Sequence, residues 1–402
     1  MEEFYIPLMS NNIEKDDILA LREFLDPDNI PRLTNGAKNR EFEAAWNEWL
    51  GTRYSVLVNS GSSANILTVM ALRELKKDGR NSVIVPGLGW VSDVSSVIHA
   101  RLKPQFCDIN LSNLSYDVEQ LEKTITEDTK AIMAVSVLGI NCYTDKMLAL
   151  CKKHNLFLIG DHCESHGTTF KGKKLGSLSE EFASNFSFFM AHHATTICGG
   201  MISTNNEEFY DYLRSYRSHS MVREMDSLER KNRIINENPE LNKDFIFLAP
   251  GYNMRATEIA GVLGLNQLKK LDRNNEVRKK NFAHFIKNLD PNKYITSLDI
   301  EGQCNYAFII ILKKPSFESR DALEKALREA KIEHRRGSSG GGNQTLQVYC
   351  KQYFKDNNII INQDDFPNLN HIHHFSCYVG NYASLEQEKI DNLLKILNSL
   401  DV

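Results

Sequence analysis

Nowhere in these 402 residues does an apolar run approach the roughly 18–20 residues needed to cross a bilayer, so no membrane-spanning helix is expected. Neither sign of charge dominates. The 48 Lys and Arg against 52 Asp and Glu leave a formal net charge of -4, which argues against nucleic acid or an anionic membrane as the main partner. A small anion remains possible, because local groups decide its binding. The eight cysteines stand singly, with no CxxC or CxC spacing. That argues against a zinc site or an iron–sulfur cluster built on clustered thiolates, so no metal is expected and buried free thiols are. Internal repeats and long low-complexity tracts are also missing. The one Gly-Ser concentration is Gly337-Ser338-Ser339-Gly340-Gly341-Gly342. The start, Met1-Glu2-Glu3-Phe4, lacks the basic-then-apolar order of a secretory signal, and the cytoplasm is the expected compartment.

The chain is too long for one compact core and suits a large domain with a smaller partner. Its 42% apolar and 25% charged residues are those of a globular protein. Residues 13–25 and 38–50 read as amphipathic helices. Short apolar runs follow at 55–59, 82–86, 104–108, 131–137 and 156–161, separated by helical stretches such as 64–75, 91–100 and 144–154. This alternation predicts an α/β fold with a mainly parallel sheet covered on both faces, and ligands at the carboxyl ends of its strands. Residues 258–271 form a strongly apolar helix. Beyond about 290 the pattern changes to α+β, with a strand at 306–312, a helix at 319–330 and a terminal helix at 384–400 capped by Ser384. The expected division is 1–270, including the N-terminal helices, and 271–402.

Two polar segments, at Ser60–Ser63 and at Asp161, fall where such a sheet binds ligands, and a third carries paired histidines. Asn59-Ser60-Gly61-Ser62-Ser63 closes a strand and opens a helix, a place where backbone N–H groups and hydroxyls hold phosphate, or where Ser and Gly merely cap. Asp161, at a strand end in Gly160-Asp161-His162-Cys163-Glu164, is a cap, a salt-bridge partner or a catalytic carboxylate. In Ser187-Phe188-Phe189-Met190-Ala191-His192-His193-Ala194-Thr195-Thr196, adjacent histidines point in different directions on helix or strand, so joint metal ligation is poor. A proton shuttle or a structural histidine fits better.

These segments, in this order and spacing, resemble the sugar-nucleotide aminotransferase family, of aspartate-aminotransferase fold. Arg32-Leu33-Thr34-Asn35-Gly36, Phe42-Glu43, Gly251-Tyr252-Asn253-Met254-Arg255, Glu258 and Gln267-Leu268 extend the resemblance over nearly the whole chain. The family's position of His192 normally holds the lysine that binds the cofactor covalently. Imidazole cannot replace that bond. A histidine there, with Thr195-Thr196, Trp90 in Gly89-Trp90-Val91-Ser92-Asp93, and Arg335-Arg336-Gly337, resembles a small branch, the sugar 3-dehydratases.

The resemblance implies pyridoxal 5'-phosphate or pyridoxamine 5'-phosphate held non-covalently, and a homodimer with shared active sites. Gly61, Ser62 and Ser187 would hold the cofactor phosphate, joined by Asn253 of the second subunit. Asp161 would pair with the pyridinium nitrogen, and Trp90 would stack on the ring. Glu164 stands where many members carry glutamine near the ring hydroxyl. His192 would be the catalytic acid–base. His219, Arg335 and Arg336 are candidates for the sugar or its diphosphate, an arginine fork suiting phosphate. The implied reaction removes the C3 hydroxyl of a 4-keto-6-deoxy sugar on a nucleotide, GDP by resemblance, with ammonia released and glutamate restoring the cofactor's nitrogen. Two rival readings are an aminotransferase whose lysine has been replaced by histidine and an inactive sugar-nucleotide-binding homologue.

Overall fold

The structure, a computed structural model, describes residues 4–402; the acidic Met1-Glu2-Glu3 lies outside the described residues. Short, largely buried segments form the strands of one seven-stranded sheet. They are β1 (Tyr54–Val58), β2 (Ser82–Pro86), β3 (Lys103–Cys107), β4 (Thr129–Val135), β5 (Phe157–Asp161), β6 (Glu181–Ser187) and β7 (Gly200–Thr204), in the order β1-β7-β6-β5-β4-β2-β3. β1, β2, β4 and β5 are apolar runs. Six strands are parallel. β7 runs antiparallel to both of its neighbours, β1 and β6. The mainly parallel α/β sheet expected from the alternation is thus present, with one inverted strand that alternation does not announce.

β2 is buried along its whole length, as a strand covered on both faces must be. Helices Gly61–Leu75 and Glu207–Arg217 pack Leu67, Leu72, Phe209 and Leu213 on one face. Helix Asp145–Lys153 covers part of the other through Met147 and Leu150. Helix Ala37–Leu50 covers the rest through Phe42 and Trp46.

Glu258–Asn288 is a single helix that runs unbroken across the expected division at 270/271. Its first half buries Ala260 and Leu271 with Phe42 and Trp46. Its last turns bury Phe282 and Phe285 in the C-terminal core. There a second, three-stranded antiparallel sheet is built from β8 (Ala307–Ile311), β9 (His334–Arg336) and β10 (Ser376–Gly380), in the order β8-β10-β9. Phe285 stacks on Phe308 of β8 at 4.6 Å between ring centroids. Burying one such ring contributes about 1.5–3 kcal/mol, more than the ~0–1 kcal/mol of an exposed ion pair, so apolar packing ties this sheet to the helix.

The N-terminal segment belongs to this second core. Ile6 is fully buried in it and pairs with Ile332 in a parallel bridge. The terminal helix is Gln387–Ser399 with Glu386, not Ser384, at its N-cap; the helix starts where the apolar spacing of Ile390, Leu393, Leu394 and Leu397 begins. No helix among the described residues is long and apolar enough to cross a membrane. The cysteines are free; six are buried, Cys163 is half-buried and Cys198 exposed.

Candidate active site

The carboxyl ends of β4, β5 and β6 open on a cavity of about 520 Å³. Its walls include Gly61, Ser62, Trp90, Asp161, Glu164 and Ser187, and also His192 and Arg335. Eight of the eleven residues singled out in the sequence therefore meet in one place.

Local chemistry explains how each arrives there. β1 ends at Val58, and Ser60 caps the helix that follows, its Oγ accepting from Ser63 N–H at 3.0 Å. The helix thus begins at Gly61, whose amino end carries positive backbone dipole. Glycine is required here by space: a Cβ would stand 2.6 Å from Ser187 Cβ and 2.9 Å from Cys163 Sγ. Ser187 ends β6 and Asp161 ends β5. Asp161 is buried. Its Oδ1 accepts from Cys163 N–H at 2.9 Å and its Oδ2 from Asn65 Nδ2 at 2.6 Å. Trp90 is the N-cap residue of helix Val91–His99 and is 54% exposed, an indole with a free face at the cavity wall.

His192 lies in the turn after β6. Its Nδ1 is 3.2 Å from the Ser187 carbonyl, which can only accept, so Nδ1 carries the proton and Nε2 is the free basic nitrogen. The ring stands edge-on to Tyr306, 5.5 Å between centroids. Burial depresses its pKa from the ordinary 6.5 to about 4, against the opposing pull of the Ser187 carbonyl and Asp161, so the neutral base persists at pH 7. His193 points elsewhere, as adjacent residues should: it is buried, with Nε2 2.9 Å from the Cys304 carbonyl. Among the described residues no His, Cys, Asp and Glu group has metal-holding geometry.

Glu164 accepts from Leu138 N–H at 2.9 Å and from the Ser339 hydroxyl. Burial pushes its carboxyl up to about 7, with the Asp161 charge acting in the same direction and the two donors opposing. The Gly-Ser run 337–342 is thus an ordered part of the site. It folds into a turn that packs on Gly89, where a Cβ on Gly340 would lie 2.2 Å from the carbonyl oxygen, and it delivers Ser339 to the cavity.

Three candidates lie elsewhere. Arg336 follows Arg335 on β9 and so faces the other way, its guanidinium paired with both oxygens of Glu324. His219 and Asn253 are exposed neighbours outside this chain's cavity, Ser218 and Asn253 forming a bridge between two loops. Four residues of the site carried no signal of their own: Asn65, one turn inside a helix and behind Asp161; Tyr306, just before β8, and Tyr378, within β10, on the cavity wall; and Ser339, in the Gly-Ser run. Only the folded chain brings them to Asp161 and His192.

Comparison with known proteins follows the same lines. Residues 11–398 match the model of the DegT/DnrJ/EryC1/StrS aminotransferase family. The chain belongs to this family. Among its relatives is the GDP-4-keto-6-deoxy-D-mannose 3-dehydratase of Escherichia coli O55:H7, 31% identical over 97% of this chain and 99% of that protein. The enzyme of the same name from Yersinia pseudotuberculosis is 32% identical over 97% and 98%. A solved GDP-4-keto-6-deoxymannose-3-dehydratase with a trapped PLP-glutamate geminal diamine superposes with a TM-score of 0.87 at 30% identity, covering 98% of this chain and all of that one. The fold expected from the motifs, that of the PLP-dependent aminotransferases with a mainly parallel sheet and a smaller α+β part, is the fold these DegT-family relatives share with the chain.

Proposed function

We propose that this chain is a vitamin B6-dependent 3-dehydratase of a nucleotide-linked 4-keto-6-deoxyhexose, GDP-4-keto-6-deoxy-D-mannose being the substrate that its relatives' names favour. The observation that supports the reading is a cavity lined by His192 and by no lysine among the described residues, His192 being, by motif resemblance, at the place of the family's cofactor-binding lysine. The residues present fit pyridoxamine phosphate. The helix start at Gly61, with the hydroxyls of Ser62 and Ser187 beside it on the cavity wall, suits a phosphate. Asp161 offers a buried carboxylate for a ring nitrogen, and the free face of Trp90 a flat surface for the ring.

When bound, the cofactor supplies an amine for the sugar's 4-keto group and a ring that withdraws electrons. The chain's own groups do the rest. Asp161 keeps the ring nitrogen charged. Neutral His192 takes a proton at the cofactor's C4′ carbon through Nε2 and returns it to the departing C3 hydroxyl, the kind of assistance that contributes about 10²–10⁴-fold. Glu164, with a carboxyl that titrates near 7, holds or yields a proton at the ring hydroxyl. Ammonia leaves with a 3-deoxy-4-keto sugar, a precursor of 3,6-dideoxy sugars, and glutamate restores the amine; a solved relative carrying a PLP-glutamate adduct supports this donor. Arg335, half-exposed at the cavity edge, is placed to meet the diphosphate. Asn253, together with His219, is assigned to the cavity of a second subunit in a homodimer, which would account for its exposure here. The chain is assigned two domains, with the helix Glu258–Asn288 as their common member.

The test is incubation with pyridoxamine phosphate and GDP-4-keto-6-deoxymannose. Free ammonia and a sugar nucleotide lighter by one oxygen are expected. An amino sugar without ammonia would identify a transaminase and remove the role given to His192. Cofactor binding with no turnover of any 4-keto sugar nucleotide would favour the inactive homologue.

A further inference from the structure

Asp161 has a buried acidic neighbour to which the proposed reaction gives no task. Asn65, itself fully buried, directs one nitrogen at both: its Nδ2 donates to Asp161 Oδ2 at 2.6 Å and lies 3.1 Å from Asp93 Oδ1, with Ser92 Oγ also at 3.1 Å. Asp93 is 1% exposed and Asp161 4%. The titratable groups facing Asp93 are Asp161 at the end of β5 and Cys163 and Glu164 in the turn after it, together with Tyr116 and Tyr349. None is a cation, and no lysine or arginine among the described residues pairs with either aspartate. Two ionised carboxylates held this close, out of water and without a counter-charge, repel strongly. One proton between them turns that repulsion into a hydrogen bond. Burial and the Asp161 charge both push Asp93 well above the usual carboxylate range.

We propose that Asp93 is a positioning residue for Asp161: it stands as the neutral acid, donates its proton to the Asp161 carboxylate, and leaves a single, oriented negative charge beneath the cofactor's ring nitrogen. This rests on Asp161 being that nitrogen's partner. The charge count gives the arrangement its purpose. A protonated ring nitrogen carries one positive charge, which one carboxylate balances; a second ionised carboxylate would be left buried and unpaired. The same side chain also holds the start of helix Val91–His99, its Oδ2 accepting from Trp90 N–H at 2.8 Å. A cap, however, needs only an acceptor and no proton.

The proton can be read directly by infrared spectroscopy of the cofactor-free chain. At pH 9, where Glu164 with its carboxyl near 7 is ionised, a protonated carboxylic acid band should persist, shift on deuteration and vanish in Asp93→Asn. Should Asp93→Asn not fold, Asp161→Asn serves instead, because removing the charge that retains the proton should displace the band. Absence of any such band at pH 9 in the unaltered chain overturns the proposal. Titration with pyridoxamine phosphate, followed by absorbance, is the second arm. Asp93→Ala should bind about tenfold more weakly, the loss of one hydrogen bond to a charged group, whereas Asp93→Asn, whose amide donates as the neutral acid does, should stay within about twofold. Equal damage from both overturns the neutral-donor role. If pyridoxamine phosphate does not bind the unaltered chain, the proposed function fails, while the infrared result still reports on the pair.

Discussion

A histidine whose Nδ1 proton is committed to the Ser187 carbonyl has one nitrogen left to work with, and its identity as a base depends on staying neutral. Replacing His192 by Asn should therefore lower turnover by about 10²–10⁴-fold, as loss of general acid–base assistance does, while pyridoxamine phosphate still binds; single-turnover ammonia release against an absorbance titration separates the two. Glu164 gives a prediction of opposite chemistry. Its folded carboxyl titrates at about 7 rather than the ordinary 4.5, so the folded state holds a proton that the unfolded state has lost. Stability from this group is complete below about pH 4.5 and falls as pH rises towards 7. Glu164→Gln escapes that fall: the melting temperature of the variant, minus that of the unaltered chain, should grow between pH 4.5 and 7 and level off above. A difference that does not change with pH would mean that Glu164 is already ionised in the fold.

At the scale of elements, the helix start at Gly61 is where one methyl group has the largest consequence. Gly61→Ala places a carbon against Ser187 Cβ and Cys163 Sγ. Overpacking of this kind costs about 1–3 kcal/mol. The variant should melt lower in denaturant titration and lose cofactor affinity in the same proportion or more, because the displaced atoms line the phosphate space. These elements differ in how far their residues announce them. β2 is legible to the residue, since Ser82–Pro86 is a short apolar run between turn signals. The segment Gly200–Thr204 is just as buried, but nothing in its side chains says that it enters the sheet antiparallel; direction is set by the connections around it. Asp161 could be found because it ends a predicted strand, whereas Ser187 and His192 are reached through the family resemblance of their segment. Asn65, Asp93 and Ser339 could not, because their partners lie tens to hundreds of residues away and the bonds that give them meaning exist only after the sheets have packed. Arg336 misled for the opposite reason: its neighbour Arg335 has the same chemistry, and only strand alternation, with Glu324 waiting on the far face, separates them.

On the scale of the whole molecule, Asn253 and His192 are predicted to serve the same cavity from different chains. Chains carrying His192→Asn and chains carrying Asn253→Ala, each inactive alone, should regain about a quarter of full activity when dissociated and mixed in equal amounts, since half of the random dimers hold one intact site. No recovery after demonstrated exchange would place Asn253 outside the site. The seam near Ile6 has a different consequence. Leu8 and Met9 form one edge of the cavity and Glu333, Arg335 and Ser339 another, and the two edges are stitched by Ile6 to Ile332 and by Leu8 N–H to Glu333 at 2.8 Å, across more than three hundred residues. During synthesis the first of these edges emerges long before the second exists. A ribosome-bound chain can form its large sheet early, yet the cavity keeps an open seam until the stretch around Ile332 and Glu333 has been made and has joined Ile6 and Leu8.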